Sequence, residues 1–190
     1  MSGSGAPYIN LKLEFTKELD GDIRIKADND LLGGNSYYGT LGKQMAGAGE
    51  PTMTIGFKGG LNEFSALTVL HEFGHALGLA HEQQHPENTL DLNFERIRKY
   101  YTERHEPSTA QSYVPLDSQI VVTSPYDQAS VMHYSIPETY LNSGHRVEGG
   151  KNELSEGDKQ FARKLYPIPR PPVPPRWWNL YNGHVPSSRA

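Results

Sequence analysis

The hydrophobic and polar positions in the first third of the chain predict a β-sheet. Residues Ile9 to Phe15 and Ile23 to Ala27 alternate apolar and polar side chains, which is typical of half-buried strands. A third segment, Pro51 to Phe57, predicts a further strand that ends at Lys58-Gly59-Gly60. We therefore expect the first part of the chain to form a sheet.

Helical spacing of apolar residues begins after this predicted sheet. From about Glu63 to Leu77 the apolar positions recur on one side, which predicts a helix with one buried face. A surface helix is predicted from Asn93 to about Arg104, where charged residues lie opposite the apolar ones. Near the end, Ser155 is a good N-cap with Asp158 three residues later, which predicts a short amphipathic helix before Pro167.

The overall composition argues against several classes of protein. The 190 residues are enough for one domain with a substantial core, and a net charge of −4 without a basic run argues against binding to nucleic acid. No apolar run approaches the length of a membrane span, and the first residues lack the pattern of a signal peptide. The sequence has no cysteine, so a metal would be bound by histidine, carboxylate or tyrosine side chains.

The two ends of the chain differ from its centre. Residues 1–8, which open with Met1-Ser2-Gly3-Ser4-Gly5, are predicted to be a flexible N-terminus. Residues 167–190 are predicted to be a proline-rich tail or linker. This tail could also bind an SH3-type partner, or lie as a strap held by Trp177 and Trp178, but a plain linker is the interpretation we favour.

One stretch of the chain carries residues that fit metal chemistry: His71-Glu72-Phe73-Gly74-His75-Ala76-Leu77-Gly78-Leu79-Ala80-His81. Side chains four residues apart lie on one face of a helix, so His71 and His75 can bind the same ion. Gly78 can adopt a positive φ and end the helix, which lets His81 reach that ion as well. Three neutral imidazoles leave one position for water, as in catalytic zinc sites. Glu72 is then placed to act as general base toward that water.

The alternative is that these histidines are ordinary core residues whose hydrogen bonds are satisfied. Five fixed residues within one short stretch favour the metal site over this alternative. His85, which is followed by Pro86, is interpreted as a loop residue and not as a fourth ligand, because an open water position needs three protein ligands.

A second stretch, Ser130-Val131-Met132-His133-Tyr134, follows the segment Ser124-Pro125-Tyr126-Asp127. The long histidine motif with a methionine turn downstream is similar to that of the metzincin metalloproteases. Among these the chain most resembles the astacin family, in which a P-Y-D segment leads to an S-x-M-H-Y turn. The resemblance covers about residues 9 to 167 and includes three further segments: His81-Glu82-Gln83, Asp91-Leu92-Asn93-Phe94 and Leu154-Ser155-Glu156-Gly157-Asp158.

The resemblance implies an α+β fold of the metzincin type, in which a twisted mixed β-sheet lies over an active-site helix and a less regular lower half ends in a helix. The catalytic domain would comprise residues 9–166, with the upper half reaching to about residue 80 and the lower half covering residues 81–166. The resemblance also implies one catalytic Zn²⁺ and a secreted protein. Animal astacins commonly carry disulfides, so a cysteine-free chain is more similar to microbial relatives.

The resemblance also assigns roles to residues outside the zinc motif. Met132 would form a hydrophobic floor beneath the ligands. Tyr134 would be a displaceable zinc ligand that swings away and hydrogen-bonds the tetrahedral intermediate, with a plain core tyrosine as the alternative. A sheet edge above the cleft would bind an extended peptide by strand addition, unless it is an ordinary edge strand. This edge comprises Ser36, Tyr37, Tyr38, Gly39 and Thr40.

The chain departs from the family at its beginning. Metzincins start with a strand and a long backing helix, for which residues 1–8 are too short. We therefore expect either that this chain is a processed or trimmed piece of a longer protein, or that it is a minimal version in which that layer is missing or supplied by another element. In either case the sheet face away from the active-site helix would carry exposed apolar surface. Glu82 occupies the position that binds the mature amino terminus in astacins.

The sequence therefore predicts a zinc-dependent endopeptidase that hydrolyses peptide bonds in extended protein or peptide substrates, with Glu72 as general base. Two other classes stay open. One is a non-catalytic protein that holds a peptide in the cleft, against which the presence of Glu72 argues. The other is a zinc hydrolase that acts on something other than protein.

Overall fold

A small mixed sheet forms the first part of the fold. The computed structural model describes residues 9–18, 20–39 and 41–169. Within them, strands β1 (Ile25–Asp28), β2 (Gly34–Ser36) and β3 (Met53–Gly56) form a sheet in the order β1-β3-β2. β1 is parallel to β3, with Ile25 opposite Met53, and β2 is antiparallel to β3, with Gly34 opposite Ile55. β2 is therefore an edge strand of this sheet.

Helices and short 3₁₀ segments make up the remaining regular structure. The α-helices are α1 (Leu41–Met45), α2 (Glu63–Ala76), α3 (Phe94–Glu103) and α4 (Glu156–Leu165). The 3₁₀ segments are Glu82–Gln84, Pro107–Tyr113 and Glu138–Tyr140. The predicted α+β class is confirmed: a mixed sheet packs on α2, and the irregular second half ends in a helix.

Capping at both ends fixes the length of α2. At the start, Asn62 Oδ1 accepts a hydrogen bond from the Ser65 N–H at 3.0 Å, and Ser65 Oγ accepts one from the Asn62 N–H at 2.9 Å. This reciprocal pair satisfies two backbone donors that the helix leaves free. At the other end Gly78 has a φ of +94°, and its N–H donates to His75 O at 2.8 Å. The glycine ends the helix and turns the chain back along it.

The two faces of the sheet differ in polarity. A Cβ on Gly34 would lie 2.8 Å from Glu72 Cγ, so Gly34 and its pair Ile55 face α2. Side chains alternate along a strand, and therefore Lys26, Asn35 and Thr54 lie on the opposite face. In these three strands that face is polar, so the expected exposed apolar surface was wrong.

A separate hydrophobic cluster lies in the second half of the chain. α3 begins at the cap Asn93, whose side chain accepts the Arg96 N–H at 3.0 Å, and it turns the fully buried Ile97 inward. The cluster is held further by a bridge between Leu92 and Leu141. Its buried members are Leu92, Ile97, Ala110, Tyr113, Ile136, Tyr140 and Leu141.

The predicted first strand is wrong. Residues 9–15 form no strand, and Leu13 and Phe15 are 49% and 88% exposed. The Asn10 N–H donates instead to Tyr166 O at 3.0 Å. A segment with alternating side chains forms a strand only where another strand offers backbone hydrogen bonds. The sequence pattern does not show whether such a partner exists. The predicted strand at Ile23 to Ala27 is present, shifted to Ile25–Asp28.

By their internal contacts the described residues fall into two units, residues 14–161 and a smaller one that joins residues 9–13 to residues 162–169. Residues 1–8 and the proline-rich tail from residue 170 lie outside the described residues, so the domain boundaries at 9 and 166 stay predictions. None of the described helices is both long and apolar enough to cross a membrane.

Candidate metal centre

Three histidines meet at the end of α2. His71 and His75 lie one helical turn apart, and their ring centroids are 4.7 Å apart. After the turn at Gly78, His81 Nε2 lies 3.2 Å from His75 Nε2. The ligand atoms of the three side chains lie within 4.8 Å of one another, and all three residues are buried. The structure thus brings together the three predicted ligands.

Backbone carbonyls orient two of the imidazole rings. His71 Nδ1–H donates to Val131 O at 2.8 Å, and His75 Nδ1–H donates to Leu79 O at 2.8 Å. These bonds favour the tautomer in which Nε2 keeps its lone pair for a metal. His71 Nε2 is buried and has no hydrogen-bond partner within the described part of the chain. A bound cation would satisfy this atom.

Burial keeps the imidazoles in the form that binds a metal. Burial, and next the neighbouring histidines, lowers the pKa of His75 to about 4 and that of His81 to about 3. Burial also lowers the pKa of His71. All three rings are therefore neutral at pH 7, as metal binding requires. Imidazole nitrogens at 2.0–2.1 Å from a tetrahedral zinc lie about 3.3 Å apart, close to the 3.2 Å between His75 Nε2 and His81 Nε2, so the donor set fits one zinc ion.

The Glu72 carboxylate is buried close to this cluster. The residue is 3% exposed, and its Oε2 has no hydrogen-bond partner among the residues described. Burial raises the pKa of Glu72 to about 7. Gly34 of β2 leaves the space that the carboxylate needs, because a Cβ there would lie 2.9 Å from Glu72 Oε1. A carboxyl group with this pKa can both accept and return a proton near pH 7.

Tyr134 covers the histidines from the second half of the chain. Its ring stacks on His71, with centroids 5.5 Å apart and planes 23° apart, and it lies 4.4 Å from the ring of His81. Burial, followed by the nearby Glu72 carboxylate, raises the pKa of Tyr134, so its hydroxyl keeps its proton at pH 7. The phenol is therefore a hydrogen-bond donor beside the site.

Met132 packs beneath α2. It is 2% exposed, and a Cβ on Gly74 would collide with its Sδ. Gly74 lies between the ligands His71 and His75 on the same helix. The thioether therefore supports the helix in the segment that carries two of the predicted ligands, which is a packing role and not a coordinating one.

The predicted substrate-binding segment divides between two sides of the sheet. Tyr38 places its ring edge-on against His75 at 4.9 Å, and the Gly39 N–H donates to His75 O at 3.0 Å. Tyr37 lies on the other side, where a Cβ on Gly42 would be 3.1 Å from its Cβ. Ser36 ends β2, so strand structure stops where the predicted run begins. Thr40 lies outside the described residues.

Asp158 is a structural residue of the site whose role the sequence did not reveal. Its carboxylate accepts hydrogen bonds from Ser130 Oγ at 2.6 Å and from the Val131 N–H at 3.0 Å. The carbonyl of Val131 in turn orients His71. The spacing of Ser155 and Asp158 identified a helix cap, which is also present, but a cap motif does not show what its carboxylate reaches elsewhere.

The other histidines with buried rings have local partners. His85 Nε2 lies 2.7 Å from Ser124 O, so its interpretation as a loop residue and not a ligand is consistent with the structure. His133 Nε2 lies 2.8 Å from the Tyr126 hydroxyl. Neither imidazole belongs to the three-histidine cluster.

Glu82 follows the third histidine and is only partly exposed. Its Oε1 accepts the Asp127 N–H at 2.8 Å. Burial, partly opposed by this hydrogen bond, raises the pKa of Glu82 from 4.5 to about 7. In the folded protein this carboxyl group thus holds its proton more tightly than in the unfolded chain.

The fold and the three-histidine site together are of the metzincin type. The sequence profile of the peptidase family described as Astacin matches residues 38–166. The chain belongs to the astacin family, and the metal implied for its three histidines is zinc.

Individual relatives agree with this family. Zinc metalloproteinase nas-39 of Caenorhabditis elegans is 33% identical over 115 residues, and bone morphogenetic protein 1 of Xenopus laevis is 28% identical over 116 residues. These matches cover 52% and 53% of the chain, which spans 11% and 16% of the two relatives.

Two solved structures are similar to this chain. A structure of myroilysin is 30% identical, with a TM-score of 0.74 over 86% of this chain and 81% of that one. High choriolytic enzyme 1 of the medaka Oryzias latipes, at 22% identity and a TM-score of 0.51 over 81% of this chain and 72% of its own, shares the fold.

We expect zinc to stabilise the folded chain through the three histidines. Because a ligand that binds only the folded state at 100 times its Kd adds about 2.7 kcal/mol, a chelator should lower the midpoint of thermal unfolding of the wild type by several degrees. His81→Ala should remove this sensitivity. The measurement is thermal unfolding with and without chelator, together with zinc content.

His85→Ala is the matched control, because it removes another buried imidazole close to the motif. It should lose some stability yet keep both zinc and the chelator-dependent shift. If His85→Ala lost the shift and His81→Ala kept it, the assignment of ligands would be wrong.

The raised pKa of Glu82 predicts a pH-dependent loss of stability. Its contribution is fully present below about pH 4.5 and disappears as the pH rises through about 7. In metal-free protein, Glu82→Gln should therefore gain stability relative to the wild type between these pH values, by on the order of 1–2 kcal/mol after solvent screening. The measurement is the free energy of unfolding of both proteins from pH 5 to 8. Parallel curves would contradict the raised pKa of Glu82.

Proposed function

We propose that this chain is an endopeptidase that hydrolyses peptide bonds in extended protein or peptide substrates. The observation that carries the proposal is the buried Glu72 carboxylate, which lies without a hydrogen-bond partner for Oε2 next to three neutral, clustered imidazoles. A site that only held a metal would have no need of a second, buried carboxyl group that pairs with no protein donor.

Each residue of the site has a distinct part in the proposed reaction. His71, His75 and His81 bind zinc, which when bound polarises the scissile carbonyl and lowers the pKa of its water to roughly 7. Glu72 takes a proton from the attacking water and passes it to the leaving amine. The protonated Tyr134 hydroxyl donates a hydrogen bond to the oxygen on which negative charge develops.

The sheet edge is the proposed binding site for the substrate backbone. Among the residues that the structure describes, β2 pairs with β3 on one side only, so its other side can accept an extended peptide as an added strand. The chain runs from Ser36 at the end of β2 to Tyr38, whose ring touches His75. A peptide paired with this edge would therefore lead toward the histidines. From the family we further propose that the protein is secreted.

Glu72→Gln should leave zinc binding intact and remove most of the activity. The amide has nearly the shape of the carboxyl group but cannot act as a base, so kcat should fall by about 10²- to 10⁴-fold. The measurement is cleavage of a mixed peptide library and of casein, with zinc content determined for both proteins. Zinc in both proteins with cleavage by neither would favour a peptide-binding protein, or a hydrolase with another kind of substrate.

The inactive Glu72→Gln protein also tests the sheet edge. A peptide chosen from the cleavage experiment should bind it, and N-methylation of alternate backbone amides should weaken binding by about tenfold or more, because strand addition depends on main-chain hydrogen bonds. The same methylation on the amides that point away from the edge is the control. Equal effects at both sets of amides would argue against strand addition.

A further inference from the structure

Gln83, two residues after the third histidine, is a fully buried polar side chain whose hydrogen bonds lie at the site. It is 0% exposed. Its Oε1 accepts a hydrogen bond from the Tyr134 N–H at 3.1 Å, across 51 positions of sequence. A side chain close to His81 in sequence thus holds the backbone of the residue whose ring lies over His71 and His81.

The amide nitrogen of Gln83 has a second partner. Nε2 donates to Ser112 O at 3.1 Å, within the 3₁₀ segment Pro107–Tyr113. The next residue, Tyr113, is 4% exposed and packs edge-on against the ring of Tyr134 at 6.3 Å. One primary amide therefore links the backbone of Tyr134 to the segment that forms a wall for its ring.

The backbone of Glu82, next to Gln83, adds a second connection between this segment and the methionine turn. The Glu82 N–H donates to Met132 O at 3.0 Å, while Gln83 accepts from Tyr134. Together these bonds fasten the segment after His81 along the methionine turn. The two bonds connect the segment after His81 to the backbone on both sides of His133.

We propose that Gln83 is a positioning residue that sets the place of Tyr134 in the reaction. The inference rests on the proposed function of Tyr134 as a donor to the developing oxyanion. A glutamine suits the task because its neutral amide offers an acceptor to one segment and a donor to the other, whereas glutamate or methionine cannot offer both at neutral pH. A displacement of the phenol by about 1 Å can cost on the order of 100-fold in rate.

The test is a double-mutant cycle between Gln83→Met and Tyr134→Phe. Methionine keeps the length of the side chain but cannot form the hydrogen bonds to the Tyr134 N–H and the Ser112 carbonyl. In the wild-type background we expect Gln83→Met to lower kcat by about 10- to 100-fold with KM nearly unchanged and zinc content unchanged. In the Tyr134→Phe background the further loss should be less than about threefold, because the group that Gln83 positions is already absent.

Asn62→Ala is the control for a general loss of stability. It removes the cap at the far end of α2, which typically costs stability without touching Tyr134 or its neighbours. At a temperature where all variants are folded it should keep kcat close to that of the wild type. An equal loss from Gln83→Met in both backgrounds, or kinetics of Gln83→Met that match those of Asn62→Ala, would overturn the inference.

Amide hydrogen exchange at Tyr134 decides the question without any activity. Gln83→Met should speed exchange of the Tyr134 N–H by about tenfold or more relative to the wild type, and Asn62→Ala should not. If the wild type cleaved no peptide, the proposed function would fail, while selective exchange would still support the hydrogen bond as the positioning contact. Unchanged exchange would overturn the inference even in an active enzyme.

Discussion

The structure depends on one costly arrangement, in which three imidazoles and a carboxyl group share a buried site. Buried polar atoms without partners destabilise a fold, and His71 Nε2 and Glu72 Oε2 are two such atoms. A zinc ion would supply the partner of His71 Nε2, and in the proposed reaction the water bound to that ion would supply the partner of Glu72 Oε2. Other residues of the site orient these groups, as the carbonyl of Val131 does for His71.

Distant segments contribute to this arrangement through backbone groups. The carbonyl of Val131 orients His71, and the N–H of the same residue is held by Asp158 at the beginning of α4. Val131, which has no chemistry of its own, thus connects α4 to a predicted zinc ligand. Because these links are hydrogen bonds to the main chain, the side chain at position 131 is not what carries them.

The sequence predicted those parts of the molecule that depend on spacing along one helix or on a short motif. The bounds of α2, the cluster of His71, His75 and His81, and the cap of α4 follow from local geometry and agree with the structure. The strand expected at residues 9–15 did not form, because a strand depends on a partner that its own pattern does not specify. Gln83 and Asp158 escaped detection for a related reason, since their partners lie 51 and 27 positions away.

The contact between Gly74 and Met132 links two motifs that are usually described separately. In the histidine motif, position 74 is one of those that any residue is allowed to occupy, yet here a single added carbon would meet the sulfur of Met132. The size of the residue between the first two ligands is therefore limited by the methionine turn. Among relatives of this chain, substitutions at these two positions should be correlated: a bulkier residue at the first should accompany a smaller or displaced one at the second. The residue that α2 can carry at position 74 thus depends on a segment almost sixty positions further along the sequence.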